Sequence, residues 1–116
     1  MAARYEGSTT YLAGIARLGF PTRLVTRVVT VTSAVATRIL DDNPRRLSWF
    51  LCNRGRDDVA ARFETTDVAP YGFLITPNGG VVSMVIEEDG EAVGYAVYAQ
   101  SLDRDCPVYV IEIETL

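Results

Sequence analysis

The stretch Val25-Thr26-Arg27-Val28-Val29-Thr30-Val31-Thr32-Ser33-Ala34-Val35 decides how the rest of the chain reads. Its odd positions are mostly apolar and threonine dominates the even ones. A period of two, in residues branched at Cβ, is the pattern of a β-strand with two unlike faces. Thr37 to Leu40 either continues this strand or starts a second one after a bend. Asp41-Asp42-Asn43-Pro44 is a turn by chemistry, because Asp and Asn bond their own backbone and proline fixes φ. Residues 47–52 then read as a buried strand, with Trp49 packed in the core. Asn53-Arg54-Gly55-Arg56-Asp57 reads as a hairpin loop with Gly55 at positive φ, and residues 59–64 as the returning strand.

The second half continues in the same manner. Pro70, Gly72, Pro77, Asn78, Gly79 and Gly80 mark a loop-rich region around the apolar piece Phe73-Leu74-Ile75. Residues 81–87 are predicted as a strand, Glu88-Asp89-Gly90-Glu91 as its turn, and residues 92–100 as the next strand. Tyr95 and Tyr98 lie at odd spacing, so both cannot face the core of a regular strand. One of them is expected near the surface. In the last strand Tyr109, Ile111 and Ile113 share one side, and Glu112 and Glu114 the other, as in a half-solvated strand. Roughly six to eight short strands, about 8–12 residues apart, predict an all-β fold: an antiparallel β-sandwich or small barrel.

Residues 1–23 lack the period of two and are rich in small residues. Tyr11, Leu12, Ile15 and Leu18 fall at helical spacing, with Ser8 or Thr9 as a cap and Gly19 and Pro21 as the end. The segment reads as a short helix or as an extended arm that orders against a partner. The expected organisation is an interaction segment over 1–23 and a β-sandwich domain over 24–116.

Composition narrows the function classes. The chain has 116 residues, 48% of them apolar and 22% charged, which suits one folded domain. Histidine is absent, removing the commonest general base and transition-metal ligand. Lysine is absent too, so Schiff-base and phosphate-loop lysine chemistry are out. Residues 1–62 hold ten arginines and five acids; residues 63–116 hold one arginine and ten acids. Such polarity suits a subunit whose basic end meets an acidic neighbour. Net acidity without a basic, aromatic-laced cluster argues against nucleic acid as the main partner. No apolar run approaches the ~18 residues of a membrane span. Signal-peptide features are missing at the N-terminus, so synthesis in the cytosol is expected.

The remaining constellations read as structure. Cys52 and Cys106 lie in or beside apolar runs and are expected as buried free thiols, with a disulfide left open. Glu87-Glu88-Asp89-x-Glu91 reads as a solvated tip rather than a calcium site. Arg45-Arg46 and Arg54-x-Arg56 flank one strand, with Asp41, Asp42, Asp57 and Asp58 beside them to form local salt bridges. No catalytic, cofactor-binding or metal-binding residue is identified.

Residues 40–49, then Asn53-x-Gly55, Asp58-Val59 and Gly72-Phe73-Leu74-Ile75-Thr76-Pro77-Asn78-Gly79-Gly80, resemble small virion structural proteins of tailed bacteriophages. The resemblance covers roughly residues 40–113. It implies a non-enzymatic β-sandwich that decorates or cements a capsid, or attaches a fibre. It also implies a symmetric oligomer, often a trimer, bound to a major capsid protein or another virion protein.

The expected function is therefore a capsid decoration or cement protein, made in the host cytoplasm and resident in the virion, with no cofactor. Its contacts are expected from Arg4, Tyr5, Tyr11, Leu12, Ile15, Arg17, Leu18, Phe20 and Arg23 of the arm, and from Tyr98. The alternative is a carbohydrate- or receptor-binding sandwich of a fibre or tail, stacking sugars on Trp49, Tyr71 or Tyr98. A small carboxylate enzyme using Glu87, Glu88 or Glu91 is the third reading.

Overall fold

A computed structural model of the chain describes residues 21–63 and 72–116. Eight strands build the fold: β1 (Thr22–Val31), β2 (Thr37–Leu40), β3 (Arg46–Asn53), β4 (Val59–Arg62), β5 (Phe73–Ile75), β6 (Val81–Val85), β7 (Val97–Ser101) and β8 (Cys106–Thr115). They form two four-stranded antiparallel sheets. Sheet I has the order β1-β8-β3-β6 and sheet II the order β2-β7-β4-β5. This is the expected antiparallel sandwich.

Alternation drives the packing. In β1 the odd residues Val25, Arg27, Val29 and Val31 turn inward, while Thr26, Val28 and Thr30 turn out. Trp49 and Leu51 of β3, Val108 and Val110 of β8, Val59 and Ala61 of β4, and Val97 and Ala99 of β7 fill the space between the sheets. Trp49 is buried as expected and stacks on Phe73 with ring centroids 6.3 Å apart. Its indole N–H has no hydrogen-bond partner among the described residues. Cys52 and Cys106 are both buried free thiols.

Four expectations change. First, residues 53–58 are not a hairpin. β3 lies in sheet I and β4 in sheet II, so this segment is an arch that crosses the sandwich. Gly55 is absent from the positive-φ positions, which among the described residues are Asn78, Gly72, Gly79 and Gly90. Glycine is required at position 55 by space instead: a Cβ there would lie 2.6 Å from Sγ of Cys106. Second, the strand expected over 81–87 ends at Val85, and a one-turn helix α1 (Ile86–Asp89) follows. Third, residues 90–94 form a 3-10 turn, so the next strand begins only at Val97. Fourth, Thr22 and Arg23 belong to β1 rather than to the arm.

Asn53 holds the arch. Its side-chain N–H donates to the carbonyls of Asp57 (2.7 Å) and Ile75 (3.0 Å), and its Oδ1 accepts from the Gly55 N–H (2.9 Å). Its backbone N–H donates to Gly80 O, and its carbonyl accepts from the Gly79 N–H. One fully buried side chain thereby ties the arch to the turn before β6. Asn53→Ala is expected to lower the unfolding free energy by about 1–3 kcal/mol for each buried group left unpartnered. Urea denaturation of the variant beside the natural chain measures this.

Candidate functional site

Two features stand out on this frame: an ionic cluster inside one end of the sandwich, and an uncharged sheet face outside it.

The cluster arises from the last strand. Glu112 and Glu114 turn inward, where they are nearly buried, while Tyr109, Ile111 and Ile113 turn outward. The alternation expected for this strand is present, but the glutamates occupy the core side. Arginines explain the reversal. Arg46, whose side chain is 1% exposed, donates from Nε to Glu112 Oε1 at 2.7 Å. Its Nη1 donates to the carbonyls of Val93 and Tyr95, both at 3.2 Å, and its Nη2 to that of Asp41 at 2.6 Å. Arg27 reaches the other oxygen of Glu112 and the carbonyl of Ile39. Glu114 accepts from Asn43 at 2.7 Å and from Arg23 at 3.0 Å, with Arg45 at 3.7 Å. Charges taken out of water are tolerated when paired and hydrogen-bonded this completely.

A pocket of about 420 Å³ opens beside Arg46, lined also by Asp42, Asn43, Pro44, Glu91 and Tyr95 among others. Its polar walls are already engaged. Asp42 accepts from the Ala96 N–H at 2.9 Å, and Tyr95 donates to Glu91 at 3.2 Å. That contact holds the Tyr95 phenol above its ordinary range. These groups brace the loops around Arg46.

The outer face of sheet I is different. Strand register sets its side chains in three rows. Leu24, Ile113, Ser48 and Val85 make the first, and Thr26, Ile111, Phe50 and Ser83 the second. Val28, Tyr109, Cys52 and Val81 make the third. None of these twelve positions is charged; nine are apolar or aromatic, and three are Ser or Thr. Val28 is 63% exposed and Val81 51%. The outer face of sheet II contrasts with it, because Tyr98 there lies in register between Arg38 and Arg62. This contiguous apolar patch is the candidate interaction surface of the described residues.

Of the sequence-predicted contact residues, Arg23 and Tyr98 lie among those described. Arg4, Tyr5, Tyr11, Leu12, Ile15, Arg17, Leu18 and Phe20 lie outside the described residues, as does Tyr71. Arg23 is paired with Glu114, and Tyr98 is half-buried on sheet II, away from the uncharged face. Tyr95 is exposed at 44%, so neither it nor Tyr98 enters the core. The acidic run 87–91 lies on α1 and the 3-10 turn. There Asp89 accepts from the Val85 N–H, and Glu91 from Tyr95. Among the described residues, no group of three or more Cys, Asp or Glu side chains is placed to hold a metal ion. No described helix is long and apolar enough to cross a membrane. Sequence reasoning missed the uncharged face, although Tyr109, Ile111 and Ile113 were the signal for it. An isoleucine row opposite two glutamates reads as the buried side until arginines are placed against the glutamates.

Comparison of the chain with protein-family models, curated proteins and solved structures gives no match.

Two outcomes are expected of the cluster. Arg46→Met leaves the nearly buried Glu112 with Arg27 as its one remaining ion pair, at a cost of about 3 kcal/mol. The double variant Arg46→Met/Glu112→Leu is expected to recover part of that loss in chemical denaturation. The second concerns pH. The Glu114 carboxyl is held below its ordinary 4.5, chiefly by the Asn43 hydrogen bond, with burial opposing and Arg23 and Arg45 adding. A carboxyl lowered on folding contributes stability that is complete above its unfolded value and lost as pH falls through the folded one. Unfolding free energy is expected to decline as pH drops below 4.5. Glu114→Gln is expected to flatten that decline relative to the natural chain, with the two curves converging in acid.

Proposed function

We propose that this chain is a non-enzymatic virion structural protein, a capsid decoration or cement subunit of a tailed bacteriophage. Its partner in this reading is the major capsid protein or another virion protein, and it stabilises the particle as a homo-oligomer. It is made in the host cytoplasm and resides in the virion. The observation that carries the reading is the uncharged outer face of sheet I, with Val28 and Val81 more than half exposed. The outer face of sheet II by contrast carries charge in one row, where Arg38 and Arg62 flank Tyr98. The rigid frame supports it as well, since the interior is cross-tied by Asn53 and Arg46. The turn and loop residues 40–49 and 72–80 add their likeness to phage virion proteins.

In this reading, residues 1–20 provide the attachment to the capsid. A 20-residue segment, fully extended, reaches about 66 Å at about 3.3 Å per residue, enough to lie across a neighbouring subunit. The full chain is expected to co-sediment with empty phage capsids, and the chain lacking residues 1–20 to stay in the supernatant. Equal binding by both would remove the arm from the mechanism, and binding by neither would remove the function.

A further inference from the structure

We infer that the outer face of sheet I is the contact between two copies of this chain, stacked sheet on sheet. The inference rests on the reading of the chain as an assembly subunit, and adds which surface is used and by what partner.

Charge is the first argument. A partner covering this face must not bury an unpaired charge, since each one desolvated without a counter-ion costs several kcal/mol. A second copy brings only the same valines, isoleucines, aromatics and hydroxyls, so nothing charged is desolvated on either side. Residues 1–20 of the same chain would instead bring Arg4, Glu6 and Arg17 towards a face that has no group to receive them.

Shape and size follow. Twisted antiparallel sheets pack face to face about 10 Å apart, at roughly 30° between mean strand directions. The two sheets of this sandwich already pack face to face through their inner sides. Three rows across four strands span about 20 Å by about 19 Å, or about 400 Å² in projection. Two stacked copies therefore bury about 800 Å² in projection, and more once side-chain relief is included. That lies at the small end of specific interfaces, below about 1,200 Å², where association is weak and depends on concentration. The contact is isologous, so it closes at two copies. Three copies, as the family resemblance implies, would need a different surface.

Sedimentation velocity of the full chain over two orders of magnitude in concentration tests this. A monomer–dimer equilibrium is expected. Val28→Asp on β1 and Val81→Asp on β6, at opposite edges of the face, are each expected to weaken the dimer at least tenfold. Leu74→Asp, exposed on sheet II, is expected to leave it unchanged. Circular dichroism and thermal melting check that all three variants stay folded. A monomer at every concentration, a trimer, or a dimer indifferent to both Val28→Asp and Val81→Asp overturns the inference. So does a full-length monomer that dimerises only once residues 1–20 are deleted, since the segment would then be the occupant. Capsid co-sedimentation is scored separately. A dimer that ignores capsids retains this interface and removes the proposed function; capsid binding by a strict monomer does the reverse.

Discussion

The contact between Arg46 and Glu112 is the constraint on which the rest of this sandwich depends. It lies inside the molecule, between β3 and β8, the two central strands of sheet I. The guanidinium of Arg46 also gathers the carbonyls of Asp41, Val93 and Tyr95, which belong to two loops distant in sequence. A single planar fork thereby joins β3, β8, the turn before β3 and the segment before β7. Lysine, with a point charge on a flexible stem, could not replace it at so many fixed angles.

That contact reverses the polarity of β8 and, through it, of a whole sheet. Once Glu112 and Glu114 are drawn inward by Arg46, Arg27, Arg23 and Asn43, the period of two sends Tyr109, Ile111 and Ile113 outward. Leu24, Val28, Phe50, Val81 and Val85 lie on the same side by register. The sandwich therefore keeps charge at one end of its interior and presents an apolar outer face. The pairing of both glutamates inside is thus linked to apolar surface left exposed outside.

Much of the fold was legible in the residues. The alternation of β1, the apolar run around Trp49, the Phe73-Leu74-Ile75 piece and the turn residues between them predict a two-layer antiparallel β fold, and the strands stand where those patterns lie. What misled was local chemistry with more than one tertiary outcome. Asn53-Arg54-Gly55 has hairpin residues, yet the chain there changes sheets, and Gly55 is needed because Cys106 leaves no room for a Cβ. Glu87 reads as the end of a strand, and the acids at 88–91 as the turn after it. They form instead a short helix and a 3-10 turn, whose side chains bond back to Val85 and Tyr95.

Sequence alone determined the all-β class and the lack of imidazole and lysine chemistry, and it favoured the burial of Trp49 and both cysteines. These follow from local periodicity and residue type, which need no knowledge of distant neighbours. Which side of each strand faces in was decided only by the tertiary structure. A strand with isoleucines on one side and glutamates on the other has two self-consistent orientations. Only the arginines brought from β1 and β3, 66 to 91 residues away in the chain, select the one with the glutamates inside. The uncharged face follows from that selection, so it becomes visible only once the strands are paired.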